Sequence, residues 1–263
     1  MTDISAAMVK QLRDATSAGM MDCKRALQET EGDFDAAVKL LREKGMASAA
    51  KRADRETKEG VVLLRSEGTA AAIVAVGCET EPVSKNDDFR AFAQKVLDAV
   101  FESGEEIVST LDEERVALGA KLGENIQIVG TRHMTAAEGE IFGSYVHPPA
   151  NKVGVLVKGK GSADVARLLA LHISFARPTY ASREEIPAEL VDAEREILLG
   201  TEDIQSKPEE KRAMIVEGQL NKKFFGESVL GEQPWIHDDK LKVAKALEQG
   251  GFELVDYIWY SVN

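Results

Sequence analysis

The 263-residue chain is 44% apolar and 30% charged, the composition of an ordinary folded polypeptide of one large or a few small domains. No apolar run is long enough for a membrane-spanning helix, and the N-terminus MTDISAAMVKQL has neither half of a secretory signal. A net charge of −12 has the wrong sign for general nucleic-acid binding, and two distant cysteines exclude a disulfide framework, so the expectations are no direct nucleic-acid contact, no membrane and a cytoplasmic location.

The first 45 residues read as three short helices. One runs near Ser5 to Thr16, with Met8, Leu12 and Ala15 on one face. Gly19 breaks it, and MMDCKRALQET follows, with Asp22 as the expected N-cap. After Gly32, Asp33 is placed to cap FDAAVKLLREK, and Gly45 fits the position just past its end. Met20-Met21 reads either as an adaptable contact surface or as core. Residues 46–59 are charged and read as an exposed helix or linker at a domain boundary.

A repeated unit comes next. GVVLLRSEGTAAAIVAVGCE is strand, Glu-Gly turn, strand, followed by a helix with Phe89, Phe92, Ala93, Val96 and Val100 on one face. GEIFGSYVHPPANKVGVLVKGKG again gives strand, turn, strand before a helix, with Val165, Leu168, Leu169 and His172 in register. Then comes a helical pair. Leu190, Ile197 and Ile204 repeat at seven residues, Lys207-Pro208 stops the chain, and Ala213, Val216, Leu220 and Phe224 continue at helical steps. It reads as an antiparallel coiled coil or a plainer helical hairpin. KLKVAKALEQGGFELVDYIWY closes the chain as helix, Gly-Gly stop and a strand that joins one of the two sheets, which makes the hairpin an insertion. The fold class is therefore α+β.

The chemistry of an enzyme is thin. GVLVKGKGS nearly matches a phosphate-binding loop, but Gly161 stands where the Mg²⁺-holding hydroxyl belongs, so a strand running into a glycine turn is the better reading. The four histidines lack zinc-helix spacing and there is no C-x-x-C, so no metal is expected. His172 reads as a hydrogen-bonded core residue and His147, before Pro148-Pro149, as exposed. In GCETEPVSKND, Cys78, Glu79 and Glu81 sit between a strand and a helix. A hydrolase using them is a possible reading, but without base, nucleophile activation or cofactor motif it is a poor one. No catalytic residue and no cofactor is expected, and the chain reads as one that works by binding.

The run LRDATSAGMMDCKRALQETEGDFDAAVKLLREKG, Leu12 to Gly45, resembles the N-terminal module of the bacterial translation elongation factor Ts family, and GENIQIVG, GSYVH, GVLV and IVEGQLNKKF extend the resemblance along nearly the whole chain. It implies a UBA-like three-helix module with linker over 1–55, a core subdomain over 56–140, a second over 141–186 and 227–263, and an antiparallel coiled-coil hairpin inserted over 187–226. It also implies guanine nucleotide exchange on elongation factor Tu, in its GDP-bound and nucleotide-free states. Leu12, Arg13, Met20 and Met21 match the family's surface for the GTPase domain, and His147 a partner-facing position. The segment the family uses to displace the partner's Mg²⁺ is Thr-Asp-Phe-Val, and here it reads Thr80-Glu81-Pro82-Val83.

That is a departure. Glu81 lengthens the carboxylate, and Pro82 replaces an aromatic wedge and removes an N–H. Loss of a buried aromatic at an interface centre costs about 2 kcal/mol or more, while a stiff Pro-Val apex lowers the ordering cost on binding. Many family members also continue into a further C-terminal helical module, whereas this sequence stops at Asn263, which implies a greater reliance on the N-terminal module. A UBA-like adapter without exchange activity is the other binding reading.

Overall fold

The computed structural model describes residues 4–16 and 18–262. It is an α+β fold in which N-terminal helices precede two small sheets, each packed with helices of its own. By backbone contacts the chain divides into two compact units. The first takes in the chain up to Thr135, Val146–Gly154 and the segment from Tyr260. The second holds Ala136–Tyr145 and Val155–Trp259.

The first unit begins with α1 (Ala6–Thr16), α2 (Met20–Glu29) and α3 (Phe34–Arg52), which close on a core of Val9, Leu12, Cys23, Ala26, Leu27 and Ala37. Asp33 caps α3 as expected, accepting from Ala36 N at 2.9 Å. Two local expectations fail. The N-cap of α2 is Gly19, not Asp22, because the helix starts at Met20, and Asp22 instead pairs with Arg25 in the first turn. α3 does not stop at Gly45 but runs on to Arg52. The alanine-rich MASAAKR favours helix strongly enough to outweigh one glycine, which costs about 1 kcal/mol.

Strand β1 (Glu59–Glu67) turns at Gly68 into β2 (Ala70–Cys78), and the two pair antiparallel with Gly60 opposite Gly77. β2 is almost wholly buried, which suits its continuous apolar run as the central strand. It ends in one helical turn, α4 (Glu81–Ser84), and then α5 (Asp87–Ser103), capped by Asn86 through Asp88 N and Phe89 N. The expected face of α5, Phe89, Phe92, Ala93, Val96 and Val100, is buried on the sheet. A 3-10 stretch (Glu105–Leu111) and α6 (Asp112–Leu122) lead into β3 (Gln127–Thr135), which pairs antiparallel with β2 across a bulge at Ala75/Val76.

The second sheet has the order β4 (Glu140–Val146), β5 (Val153–Gly161) and β8 (Phe252–Ser261). The near-match to a phosphate loop is β5 itself, and Ser162 caps α7 (Ala163–Ala176) by accepting from Val165 N. Helices α8 (Ala188–Gly200), α9 (Glu202–Gln205) and α10 (Glu209–Gln219) form the hairpin region. A π-helical turn (Leu220–Phe225) and the short α11 (Gly226–Ser228) continue it. The hairpin core is Leu198, Ile204, Val216, Leu220 and Phe225, whereas Leu190 and Ile197 from the seven-residue pattern are exposed. β6 (Pro234–Trp235) and β7 (Asp238–Lys242) form a two-stranded ribbon before α12 (Val243–Gln249), and Gly250-Gly251 then starts β8 as expected.

Candidate functional site

β2 ends at Cys78, and the polar Glu79-Thr80-Glu81 that follows brings the chain to the surface. Cys78 is buried, Glu79 half-buried, and Thr80, Glu81 and Pro82 are exposed. Val83 turns back and packs on the core beneath α5, so the exposed tip of this segment is Glu81-Pro82 rather than Pro82-Val83. Pro82 sits in the first turn of α4, where its missing N–H leaves no helical bond unmade. Ser84 N donates to Thr80 O at 3.1 Å and Lys85 N to Glu81 O at 3.2 Å, which closes the turn.

The turn is tied to the segment after α6. Gly123, at φ 78°, ends α6 in the left-handed conformation that glycine adopts without strain, and this aims Glu124 and Asn125 at the end of β2. Glu124 Oε2 accepts from Glu79 N at 2.9 Å and Thr80 N at 3.1 Å, and Glu124 Oε1 accepts from Thr80 Oγ1 at 2.5 Å. In return Glu79 Oε1 accepts from Asn125 N at 2.6 Å and from Arg55 Nη1 at 3.4 Å. Asn125 Nδ2 donates to Arg55 O at 2.9 Å and Ala53 O at 3.3 Å, which joins the turn to the segment leaving α3. Sequence reasoning missed Glu124. The motif GENIQIVG holds it, but nothing local shows that its carboxylate reaches a turn more than forty residues away.

None of this arrangement is a nucleophilic centre. Burial pushes the Cys78 thiol up to about 12, with the Glu124 carboxylate adding to the effect, so no thiolate forms at neutral pH. Burial also raises the Cys23 thiol. The Glu79 carboxylate is engaged by Asn125 and Arg55. The Lys85 ammonium, hydrogen-bonded to Glu81 at 2.7 Å, holds that carboxyl below its usual range, so Glu81 is an exposed anion. Among the described residues no group of three or more His, Cys, Asp or Glu is placed to hold a metal ion.

Glu81 borders a groove of about 610 Å³ whose walls include β1, Arg90 and the turn Pro149–Lys152. His147 opens that turn. It is exposed, its N donates to Val153 O at 2.9 Å, and its carbonyl accepts from Asn151 N at 3.0 Å. Val62 N of β1 donates to Asn151 O at 2.7 Å, so the His147 turn and the Thr80–Val83 turn flank one face of the first unit. Arg13, Met20 and Met21 are exposed on α1 and α2, and Arg13 and Met20 line a second hollow with Lys121. Leu12 is fully buried among the three helices and supports that surface from beneath.

A family model described as Elongation factor TS matches residues 79–263. The chain is 40% identical over 263 residues to elongation factor Ts of Vibrio vulnificus (strain YJ016), an alignment covering 99% of this chain and 92% of that protein. It is 39% identical over 268 residues to elongation factor Ts of Serratia proteamaculans (strain 568), covering 100% and 93%. The protein of the same name from Idiomarina loihiensis is 38% identical over 270 residues, covering 99% of this chain and 91% of its own length.

Proposed function

The chain belongs to the elongation factor Ts family, and from that membership we propose how its residues act. It is a guanine nucleotide exchange factor for elongation factor Tu in translation elongation. It works in the bacterial cytoplasm by binding Tu·GDP and then holding nucleotide-free Tu until GTP enters. No covalent bond need change. If the factor weakens nucleotide binding by a given ratio, nucleotide weakens factor binding by the same ratio.

The observation that carries the mechanism is the exposed, anchored turn at the end of β2. Glu81 presents an anion and Pro82 a rigid edge on a segment whose backbone is held from behind by Glu124. Placed against the partner's Mg²⁺ and phosphates, Glu81 and Pro82, flanked by Thr80 and Val83, disturb the ion that offsets the phosphate charge, and GDP leaves. Arg13, Met20 and Met21, supported by Leu12, dock on the GTPase domain, and His147 makes a further contact. The N-terminal helices act as a UBA-like module over 1–55. Residues 56–140 form one core subdomain, 141–186 with 227–263 the second, and 187–226 a coiled-coil insertion.

The test uses Tu loaded with a fluorescent GDP. Glu81→Ala and Pro82→Gly should each slow GDP release at saturating factor, and the double variant should slow it by about tenfold or more. If both single variants release GDP at the wild-type rate, the turn is not the exchange element. A pull-down from bacterial lysate separates the adapter reading: Tu as the dominant captured protein supports exchange.

A further inference from the structure

α4 is a single turn, too short to fix its own direction, yet an exchange element must meet the partner's Mg²⁺ site in one place. We infer that Glu124 is a positioning residue for exchange: its carboxylate splints the Thr80–Val83 turn in the conformation that enters the partner. The inference rests on the exchange reading above.

Three donors converge on this side chain, and all three belong to Glu79 and Thr80. Thr80 occupies the N-cap position of α4 with extended backbone, φ −129° and ψ 151°, yet its hydroxyl makes no capping bond. Pro82 stands where one of the two N–H groups open to a capping side chain would be, and the hydroxyl donates to Glu124 instead. The first residue of the turn is thus held from outside the helix. Charge-assisted bonds to two backbone N–H groups and a hydroxyl are short and directional, so they fix the turn's origin on both sides of the Glu79–Thr80 peptide.

The supporting geometry is equally specific. Gly119 has no Cβ, and one built there would lie 2.9 Å from Glu124 O, so the chain after Gly123 packs directly on α6. Asn125 completes a reciprocal clasp through Glu79 and hands it to the carbonyls of Ala53 and Arg55. The apolar core beneath the sheet is built on β2, α5 and Ile126. Losing this carboxylate frees the turn and leaves the docking surface on α1 and α2 in place.

The test compares Glu124→Ala, Glu124→Gln and Glu124→Asp in the full chain, with thermal melting as the fold control. Release of fluorescent GDP from Tu is followed as each factor is titrated, giving a maximal rate and a half-saturating concentration. Glu124→Ala should lower the maximal rate about tenfold or more while the half-saturating concentration moves less than about threefold. Glu124→Gln should regain most of the rate. Its carbonyl oxygen still accepts from the two N–H groups, and its amide donates to the Thr80 hydroxyl. Glu124→Asp keeps the charge but falls one methylene short, and should be slower than Glu124→Gln. An unchanged maximal rate in Glu124→Ala, or a loss that appears only as weaker binding, overturns the inference. If Glu124→Ala does not fold, Asp equal to Gln at the wild-type rate overturns it. A wild-type factor that leaves GDP release at its spontaneous rate sinks the exchange reading itself, and is distinguished from these outcomes.

Discussion

At the scale of single residues, burial separates positions that a motif treats alike. Leu12, Arg13, Met20 and Met21 belong to one sequence pattern, but Leu12 has no exposed surface, whereas Met20 and Met21 are 58% and 63% exposed. Leu12→Ala should therefore destabilise the protein by about 2–5 kcal/mol, measured by denaturant unfolding. Met20→Ala with Met21→Ala should leave stability nearly unchanged and weaken Tu binding, measured by calorimetric titration. If the methionine pair binds Tu as tightly as wild type, α2 is not the docking surface. The capping role of Asp33 and the buried row on α5 were legible because each depends on neighbours within one helix. The clasp by Glu124 was not, because a carboxylate bonding distant backbone leaves no local spacing to read.

At the scale of elements, periodicity found the helices but not their limits or phase. α3 passes through Gly45, where an added Cβ would meet nothing within 4 Å. Gly45→Ala should raise the stability by about 0.5–1 kcal/mol, visible as a higher melting temperature. In the hairpin the π-helical turn Leu220–Phe225 carries an extra residue, and Phe225 is the buried ring there, while Phe224, expected on the packed face, is half-buried. A seven-residue repeat also misjudged Leu190 and Ile197, since the packed face of α8 is set one position along, at Val191 and Leu198.

α7 and the β6–β7 ribbon meet at His172, which is fully buried and stacked on Trp235 at 5.1 Å. Its Nδ1 accepts from Ile236 N at 3.4 Å, which leaves Nε2 to donate to Gln233 Oε1 at 3.0 Å. Burial lowers its pKa, the Gln233 bond opposes the shift, and the nearby His237 adds to it. Below the unfolded value near 6.5, the unfolded chain takes up a proton that the native ring refuses. Stability is thus fully present above that value and falls as pH drops toward the folded pKa. Chemical denaturation at pH 7 and pH 5 should show this loss, and His172→Gln should make the difference smaller. An equal pH dependence in that variant would assign the effect to other groups.

At the scale of the whole molecule, the sequence shows two hairpin-and-helix units and a helical head because apolar patterning within each is strong. β3 escaped notice, since a half-buried strand after a long helical excursion carries little alternation, and its place beside β2 is a long-range pairing. The hydrolase reading of Cys78 was weak from residue types alone, and burial, which pushes that thiol up to about 12, weighs further against it. Removing residues 1–52 deletes the exposed methionines and Arg13 together, and should weaken Tu binding by about 100-fold or more by calorimetric titration. Wild-type affinity in the truncated chain would contradict the docking assignment.

The central claim is tested most directly by GDP release under turnover. Tu carrying fluorescent GDP, in Mg²⁺ and excess unlabelled GTP, is mixed with substoichiometric wild-type protein. The account predicts a release rate that rises in proportion to the protein, each molecule serving many Tu, and that slows as Mg²⁺ is raised. Release at the spontaneous rate, even with protein in excess, would contradict it.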